Sequence, residues 1–181
     1  MEKATFGGGC FWCTEAIFQR LIGVKSAVPG YSGGDLPNPT YEEVSEGETG
    51  HAEAVQIEFD PELIPFKKLL EVFFYTHDPT TPNQQGNDMG PQYRSSVFYH
   101  DEKQKKDTED FIKELEIAKT FPRPIVTTVE PFKNFYEADD YHKNYYERNK
   151  GAMYCSYVIG PKIHKLLEKY GKDIKDEYKN K

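Results

Sequence analysis

The sequence predicts a single α+β domain, and three patterns support that class. Residues 52–59 alternate between apolar and polar side chains, which is the period of a β-strand. Between Phe66 and Phe73 the apolar side chains instead follow the i, i+3, i+4, i+7 spacing of an amphipathic helix. Segments of these two kinds follow one another in the order β-α-β-β-α-β, which indicates strands and helices packed around one core.

The first half of the chain is expected to hold three strands and two helices, separated by glycine and proline residues. Glycines at 7–9 end the first strand, Gly23 closes the first helix, and Asp60-Pro61 ends the third strand. The predicted elements are a strand at 3–6, a helix at 11–21, a strand at 24–31, a loop at 32–39, a strand at 52–59 and a helix from 66 onward.

The second half is more polar and ends in helices. Its predicted elements are a long loop at 78–92, a strand at 94–99, a helix at 101–119, a strand at 125–130 and a helix at 137–149. An irregular stretch then runs through Cys155. A final helix begins at Pro161, a favoured first helical position, and stops before Gly171.

This order of elements predicts a ferredoxin-like (split βαβ) two-layer core with additional helices and an irregular C-terminal extension. No internal repeat, linker or low-complexity tract interrupts the sequence. We therefore expect one domain over residues 1–181, with a core at about 1–160 and a C-terminal helical extension at 161–181.

Composition and charge exclude several classes of function. The net charge is −7, and basic residues never form a run, so we expect no nucleic-acid partner. No apolar stretch reaches the length of a membrane span, and the N-terminus lacks the apolar segment of a signal peptide. We expect a cytoplasmic protein that acts as a monomer and makes no contact with membranes.

The chain has three cysteines, which is too few for a disulfide framework. Cys10 follows three glycines and opens a predicted helix, where unpaired N–H groups and the helix dipole favour an anion. A cysteine at such a position is expected to have a lowered pKa and to be nucleophilic. The glycines would let backbone and substrate approach its sulfur closely.

Three other interpretations of Cys10 compete with this one. The first is a small buried side chain without chemistry. The second is a zinc site with Cys13, but the five histidines and Cys155 offer no second pair at ligand spacing. The third is a thioredoxin-like redox pair of Cys10 and Cys13. The spacing favours redox chemistry over metal binding.

Glu53 is a candidate acid because it shares one face of the predicted strand with Val55, Ile57 and Phe59. On that face, desolvation would raise its pKa, and a carboxyl group that stays protonated near neutral pH can donate a proton. The alternative is that the strand frays at its start and that Glu53 contacts water.

Five short blocks, the last of them in two parts, occur in the same order as in a known family. They are Gly9-Cys10-Phe11-Trp12 with Thr14-Glu15, Gly30-Tyr31-Ser32-Gly33-Gly34, Pro37-Asn38-Pro39-Thr40-Tyr41, Gly50-His51-Ala52-Glu53-Ala54, Gly86-Asn87-Asp88 and Gln92-Tyr93-Arg94-Ser95. Together they resemble the A-type methionine sulfoxide reductases. The blocks are dense from residue 6 to about 99, and the resemblance continues weakly to 157.

The resemblance implies an enzyme that reduces methionine S-sulfoxide, free or in proteins, and so repairs oxidised proteins. By this resemblance Cys10 attacks the sulfoxide sulfur, while Glu53 protonates the oxygen with the help of the Tyr41 and Tyr93 hydroxyls.

The same resemblance assigns the surroundings of the substrate. Phe11 and Trp12 would form the apolar wall for the substrate methyl group. Asp88 would act through bound water or through the substrate backbone. No metal or other cofactor is implied.

The resemblance also implies how the enzyme is regenerated. The Cys10 sulfenic acid would condense with a second thiol, and thioredoxin or dithiothreitol would reduce the resulting disulfide. We favour Cys155 as this resolving thiol, because it lies in a glycine-containing stretch expected to be flexible, with Cys13 as a partner or relay. The alternative function is a general dithiol–disulfide oxidoreductase that uses Cys10 and Cys13 and does not need Glu53. A small metal-binding or peptide-binding domain is a third hypothesis.

Overall fold

A computed structural model describes residues 1–180 of the chain. The strands are β1 Glu2–Gly8, β2 Val24–Ser32, β3 Ala52–Phe59, β4 Gln84–Gln85, β5 Asp88–Met89, β6 Ser95–Tyr99, β7 Thr128–Pro131 and β8 Tyr136–Glu137. The α-helices are α1 Phe11–Phe18, α2 Tyr41–Ser45, α3 Phe66–Thr76, α4 Glu102–Ile117, α5 Tyr145–Arg148 and α6 Gly160–Tyr170. A π-helical turn, Cys155–Ile159, leads directly into α6.

Six of the strands form one mixed sheet in the order β7-β6-β1-β3-β2-β8. Among the four central strands, β6, β1, β3 and β2, each pair of adjacent strands is antiparallel, whereas β7 at the edge runs parallel to β6. Helix α1 connects β1 to β2, and α3 follows β3 before the chain returns to β6. This mixed sheet with its helices confirms the predicted α+β class.

The main core lies between the sheet and the helices and is rich in phenylalanine. The ring of Phe6 on β1 stacks on Phe18 of α1 and on Phe66 and Phe73 of α3, with centroid distances of 5.3, 6.0 and 4.9 Å. Because side chains alternate along β3, Glu53 enters the sheet on the same side as Val55, which belongs to this core.

The C-terminal residues are part of the same core. Ile163, Leu166 and Tyr170 of α6, together with Ile174, are buried in it. An isolated β-bridge also pairs Leu21 with Ile174. The segment predicted as an extension therefore packs against the helix that begins after Cys10.

Several predicted elements were wrong. Helix α1 ends at Phe18 and not at 21, and the helix expected at 137–149 is only α5, Tyr145–Arg148. The loop predicted at 78–92 contains the β4–β5 hairpin and a 3₁₀ turn, Pro91–Tyr93. The stretch through Cys155 is helical and not irregular. These segments are short or polar, so long-range packing and not local periodicity decides their conformation.

Arg20 connects α1 to the C-terminal segment and is only 1% exposed. It forms an ion pair with Glu147 of α5 and lies over the rings of Tyr146 and Tyr178, 5.2 and 4.7 Å from their centroids. We expect Arg20→Met to lower the free energy of unfolding by about 3 kcal/mol, since Glu147 would lose its buried partner.

Urea denaturation would measure this effect, with Lys25→Met as the matched control. Lys25 forms an exposed pair with Glu58 at 3.0 Å, so its replacement should cost less than about 1 kcal/mol. Equal losses in the two variants would contradict the proposed role of Arg20.

Candidate active site

Cys10 lies at the junction of β1 and α1, where it is the N-cap residue of the helix. Gly9, immediately before it, has a φ of 90°. A Cβ atom at Gly9 would also lie 2.6 Å from the Gln85 side chain, so both the backbone conformation and the close packing require glycine there. The thiol of Cys10 is buried, with the residue 8% exposed.

The prediction of a lowered pKa for Cys10 was wrong. Burial raises the pKa of this thiol well above its usual value, and the neighbouring Cys13 and Glu53 raise it further. The helix terminus favours an anion, but desolvation of a buried sulfur outweighs that effect. Cys10 is therefore a neutral thiol in the resting protein at neutral pH.

Cys13 lies one helical turn after Cys10 and is 1% exposed. Its sulfur accepts a hydrogen bond from the Cys10 thiol, which lowers the pKa of Cys13 to about 7 despite its burial. The Tyr154 hydroxyl lies beside both sulfurs and lowers the pKa of each. Of the two thiols, Cys13 is therefore the one that loses its proton at the lower pH.

Glu53 is buried beside this pair, at 2% exposure. One of its carboxyl oxygens, Oε2, accepts a hydrogen bond of 3.0 Å from the Phe11 backbone N–H, in the first turn of α1. Burial raises the pKa of Glu53 to about 8, although the Phe11 bond opposes the rise. The prediction of a core-facing carboxyl group with a raised pKa is confirmed, and the fraying alternative is not observed.

Two tyrosine hydroxyls share this environment with Glu53. Tyr41 begins α2, and its ring stacks on Phe11 at 6.3 Å between centroids. Burial, followed by the charge of Glu53, raises the pKa of Tyr41 to about 12. The pKa of Tyr93 is also raised, by burial and then by Glu53. Both phenols therefore stay protonated and can donate hydrogen bonds.

Phe11 and Trp12 form an aromatic cluster with residues from the C-terminal half of the chain. The Trp12 ring stacks on Tyr145 at 3.7 Å, with an interplanar angle of 7°. Its Nε1 donates a hydrogen bond of 3.2 Å to Nδ1 of His142. The ring of Phe11 lies 5.3 Å from that of His142.

The C-terminal half of the chain also contacts Asp88. The Tyr154 hydroxyl donates a hydrogen bond of 2.7 Å to its Oδ2 atom. Asp88 lies on β5 of the small hairpin. The sequence motifs identified this carboxylate but gave no sign of Tyr154, which lies beside the two sulfurs.

Cys155 differs most from its prediction. It is fully buried in the core and begins the π-helical turn, so it does not lie in a flexible, irregular stretch. Burial raises its pKa, and the charge of Cys13 adds to the rise. The physical reason is that α1 packs against this turn, which continues directly into α6, so the thiol is excluded from water.

Cys10, Cys13 and Glu53 could therefore be identified from the sequence, whereas the aromatic residues around them could not. His142, Tyr145 and Tyr154 come from positions more than 120 residues after Cys10 in the chain. The concentration of tyrosine between 136 and 157 was the one available signal, and semi-buried packing explained it equally well.

The structure also bears on metal binding and on membrane-spanning helices. Within residues 1–180, no group of three or more histidine, cysteine, aspartate or glutamate side chains could hold a metal ion. In the same part of the chain, no helix combines the length and the apolar character needed to cross a membrane.

Comparisons with known proteins agree with this geometry. The family model described as peptide methionine sulfoxide reductase matches residues 2–175. A peptide methionine sulfoxide reductase MsrA of Sulfolobus acidocaldarius is 57% identical over 170 residues, which cover 94% of this chain and 96% of that protein. One of Saccharolobus solfataricus is 53% identical over 175 residues, covering 97% and 98%.

Solved structures show the same similarity. The crystal structure of Mxr1 from Saccharomyces cerevisiae in reduced form has a TM-score of 0.76 at 34% identity, covering 85% of this chain and 88% of that one. The structure of Mxr1 in complex with Trx2 has a TM-score of 0.54 at 26% identity, covering 80% and 84%. With its buried thiol pair and acid, and with relatives that share more than half of its residues, this chain belongs to the peptide methionine sulfoxide reductase family.

Proposed function

We propose that this chain reduces methionine S-sulfoxide, free or in proteins, to methionine, with Cys10 as its nucleophile. The observation that carries the proposal is the placement of Glu53. A buried carboxyl group, protonated up to a pH of about 8, is held by the first turn of the helix that Cys10 caps. An acid and a soft nucleophile at one site are what sulfoxide reduction requires.

In the first step, Cys10 and Glu53 both act on the sulfoxide group of the substrate. The Cys10 sulfur attacks the sulfoxide sulfur, and Glu53 protonates the oxygen, which leaves poorly without a proton. The Tyr41 and Tyr93 hydroxyls donate hydrogen bonds to the same oxygen. The Cys10 proton passes to Cys13, to which this thiol already donates. The protonated oxygen is then transferred as hydroxide from the substrate sulfur to the Cys10 sulfur while the bond between the two sulfurs breaks. Methionine leaves, and Cys10 remains as a sulfenic acid.

Aromatic side chains suit the apolar part of the substrate. In the proposed complex, Phe11 and Trp12 receive the methyl group on sulfur, because their rings offer a polarisable apolar surface. Asp88, held by Tyr154, presents a carboxylate for a bound water or for the substrate backbone. The preference for the S epimer rests on the family to which the chain belongs.

A second thiol then closes the cycle. It condenses with the sulfenic acid and releases water, and thioredoxin, or dithiothreitol in the test tube, reduces the resulting disulfide. The solved complex of Mxr1 with Trx2 supports a thioredoxin partner. Because the protein's own thiols supply the electrons, the proposed reaction needs no cofactor. The three unpaired cysteines suit the reducing cytoplasm, which we propose as its compartment.

A general dithiol–disulfide oxidoreductase would use Cys10 and Cys13 alone. The comparisons do not favour this alternative, and it gives no reason for a buried acid beside the thiols. It predicts rapid reduction of insulin disulfides, which the proposed function does not.

The test incubates the reduced protein and dithiothreitol with separated S and R epimers of a blocked methionine sulfoxide. We expect methionine from the S epimer alone. Release of methionine would be followed by liquid chromatography, with the Glu53→Gln variant as the control for acid catalysis. Insulin reduction without methionine formation, from protein shown to be folded and reduced, would replace this proposal by the oxidoreductase alternative.

A further inference from the structure

A cavity of about 370 Å³ opens beside the proposed active site. It lies between the segment 38–41, where α2 begins, and the segment 135–139, which contains β8. Its lining combines four aromatic rings with two carboxylates, on Tyr31, Tyr41, Phe135, Tyr136, Glu137 and Asp139. The proposed reaction uses the hydroxyl of Tyr41 but gives the cavity itself no role.

Tyr31 connects this cavity to the active site. It lies directly opposite Glu53 in the pairing of β2 with β3, so the two side chains share one face of the sheet. Its ring centroid is 5.7 Å from that of Phe11. Because an extended chain advances about 3.3 Å per residue, a polypeptide with its sulfoxide at Glu53 would bring a residue one or two positions away to the cavity.

The hydroxyl of Tyr31 is buried and has no hydrogen-bond partner among the residues that the structure describes. The whole residue is only 2% exposed. Burial, followed by the charge of Glu53, raises the pKa of Tyr31, so this hydroxyl is neutral and can both donate and accept a hydrogen bond. Since nearly all buried hydroxyls in proteins have a partner, a hydroxyl without one at the wall of a cavity indicates a place for a ligand.

The cavity also carries an unpaired negative charge. Glu137 forms an ion pair of 3.0 Å with Lys143. Asp139, in contrast, forms no ion pair within the described part of the chain. Burial lowers the pKa of His142, whose ring lies 4.5 Å from that of Tyr41, so this histidine brings no positive charge at pH 7. The Asp139 carboxylate is therefore available to a cation from outside.

The chain around the cavity is acidic over a long stretch. Residues 26–66, which include β2, α2 and β3, contain no lysine or arginine. The loop and helix between β2 and β3 carry five acidic side chains, on Asp35, Glu42, Glu43, Glu46 and Glu48. A surface of this charge attracts basic segments of a substrate and repels acidic ones.

Aromatic rings together with a carboxylate are suited to a lysine or arginine side chain. The face of an aromatic ring attracts a cation, and a carboxylate accepts hydrogen bonds from its N–H groups. The chain makes the same kind of contact elsewhere, where the ammonium groups of Lys165 and Lys169 lie 4.4 and 3.9 Å from the ring centroid of Tyr75. A neutral or acidic side chain would leave the Asp139 charge uncompensated.

We infer that the cavity binds a lysine or arginine side chain of the substrate polypeptide, one or two residues from the methionine sulfoxide, through the Asp139 carboxylate, the Tyr31 hydroxyl and the aromatic rings. This inference rests on the proposed function and narrows its substrate class. The preferred substrates are oxidised methionines in basic segments of proteins, whereas free methionine sulfoxide leaves the cavity unused.

Matched peptides test the inference. Each is a blocked pentapeptide with methionine S-sulfoxide at its centre and glutamine elsewhere, and one lysine replaces each glutamine in turn. With dithiothreitol as reductant, we expect lysine at one or two of the four positions to raise kcat/KM by about threefold to thirtyfold over the all-glutamine peptide. Glutamate at the same position should lower it.

The outcomes separate this inference from the function on which it rests. Equal kcat/KM values for the lysine and glutamine peptides, with normal reduction of both, would overturn the inference alone. An equal gain from lysine at all four positions would also overturn it, because long-range attraction and not the cavity would then explain the gain. No reduction of any peptide or of blocked methionine S-sulfoxide, by folded and reduced protein, would overturn the proposed function.

Asp139→Asn tests the carboxylate. The preference for lysine should fall to about twofold or less, while kcat/KM for the all-glutamine peptide stays the same, and Asp139→Lys should favour the glutamate peptide instead. Asp35→Asn is the matched control, because Asp35 is an exposed acid of the same basic-free stretch that does not line the cavity. If both asparagine variants lose the preference equally, general surface charge and not the cavity selects the substrate.

Tyr31→Phe tests the hydroxyl. Because this group has no partner in the free protein, its removal should not lower the unfolding temperature. It should lower kcat/KM for the lysine peptide more than for the glutamine peptide. An equal loss for the two peptides would show that the hydroxyl acts on the sulfoxide and would overturn its assignment to the cavity.

Discussion

Replacement of Cys10 by serine is expected to remove methionine formation, with a fall in kcat/KM of about a thousandfold or more. A serine hydroxyl has nearly the same size but is a far weaker nucleophile for the sulfoxide sulfur. The buried position should accept it without a change of fold, because Cys10 contributes one small side chain to the core. The measurement is methionine released from the S epimer by folded protein.

Cys155→Ser is the matched control for this prediction. It removes another buried thiol, from the π-helical turn, but should still release one methionine per protein in the absence of reductant. Circular dichroism and thermal unfolding would show that both variants are folded. Appreciable turnover by Cys10→Ser would eliminate Cys10 as the nucleophile.

Glu53→Gln is expected to lower kcat by about a hundredfold to ten-thousandfold, the usual range for loss of a general acid. The protonated form of Glu53 is the active one, so the rate of the unmodified enzyme should fall as pH rises through about 8. The variant keeps a hydrogen-bonding group of the same shape but has no proton to give. Its residual rate should therefore lack this decline.

Glu58→Gln is the control on the same strand, because Glu58 faces solvent and pairs with Lys25. Its rate and pH profile should match those of the unmodified protein. An unchanged kcat in Glu53→Gln would show that another group protonates the oxygen.

The same pKa makes a prediction about stability. The folded protein holds Glu53 protonated above its ordinary pKa of 4.5, so stability is lost progressively as pH rises from that value, and the loss is complete once pH passes about 8. Glu53→Gln has no carboxylate to bury. The unfolding temperature of the variant minus that of the unmodified protein should therefore increase between pH 6 and pH 9. A constant difference would contradict the burial of Glu53 as an acid.

Local sequence predicted the strand that carries Glu53 with its observed bounds, 52–59. Side-chain alternation is a property of every β-strand, so the face that Glu53 occupies followed from the pattern alone. The start of α1 after Cys10 was equally local, because three glycines end the strand before it. The end of α1 does not follow from the local sequence. The turn after Phe18 is stabilised by a hydrogen bond from the Ile22 N–H to the backbone carbonyl of Asp173.

Periodicity and short ordered motifs were thus enough to establish the α+β class and the family, and to predict the nucleophile and the acid. Only the tertiary structure decided the protonation of Cys10, the burial of Cys155 and the partner of Cys13. Each of these depends on residues distant along the chain, such as Tyr154, which lies beside both sulfurs. The helix terminus that would lower the pKa of Cys10 can be recognised in the local sequence. The desolvation that raises this pKa comes from the whole core and cannot be read from any local pattern.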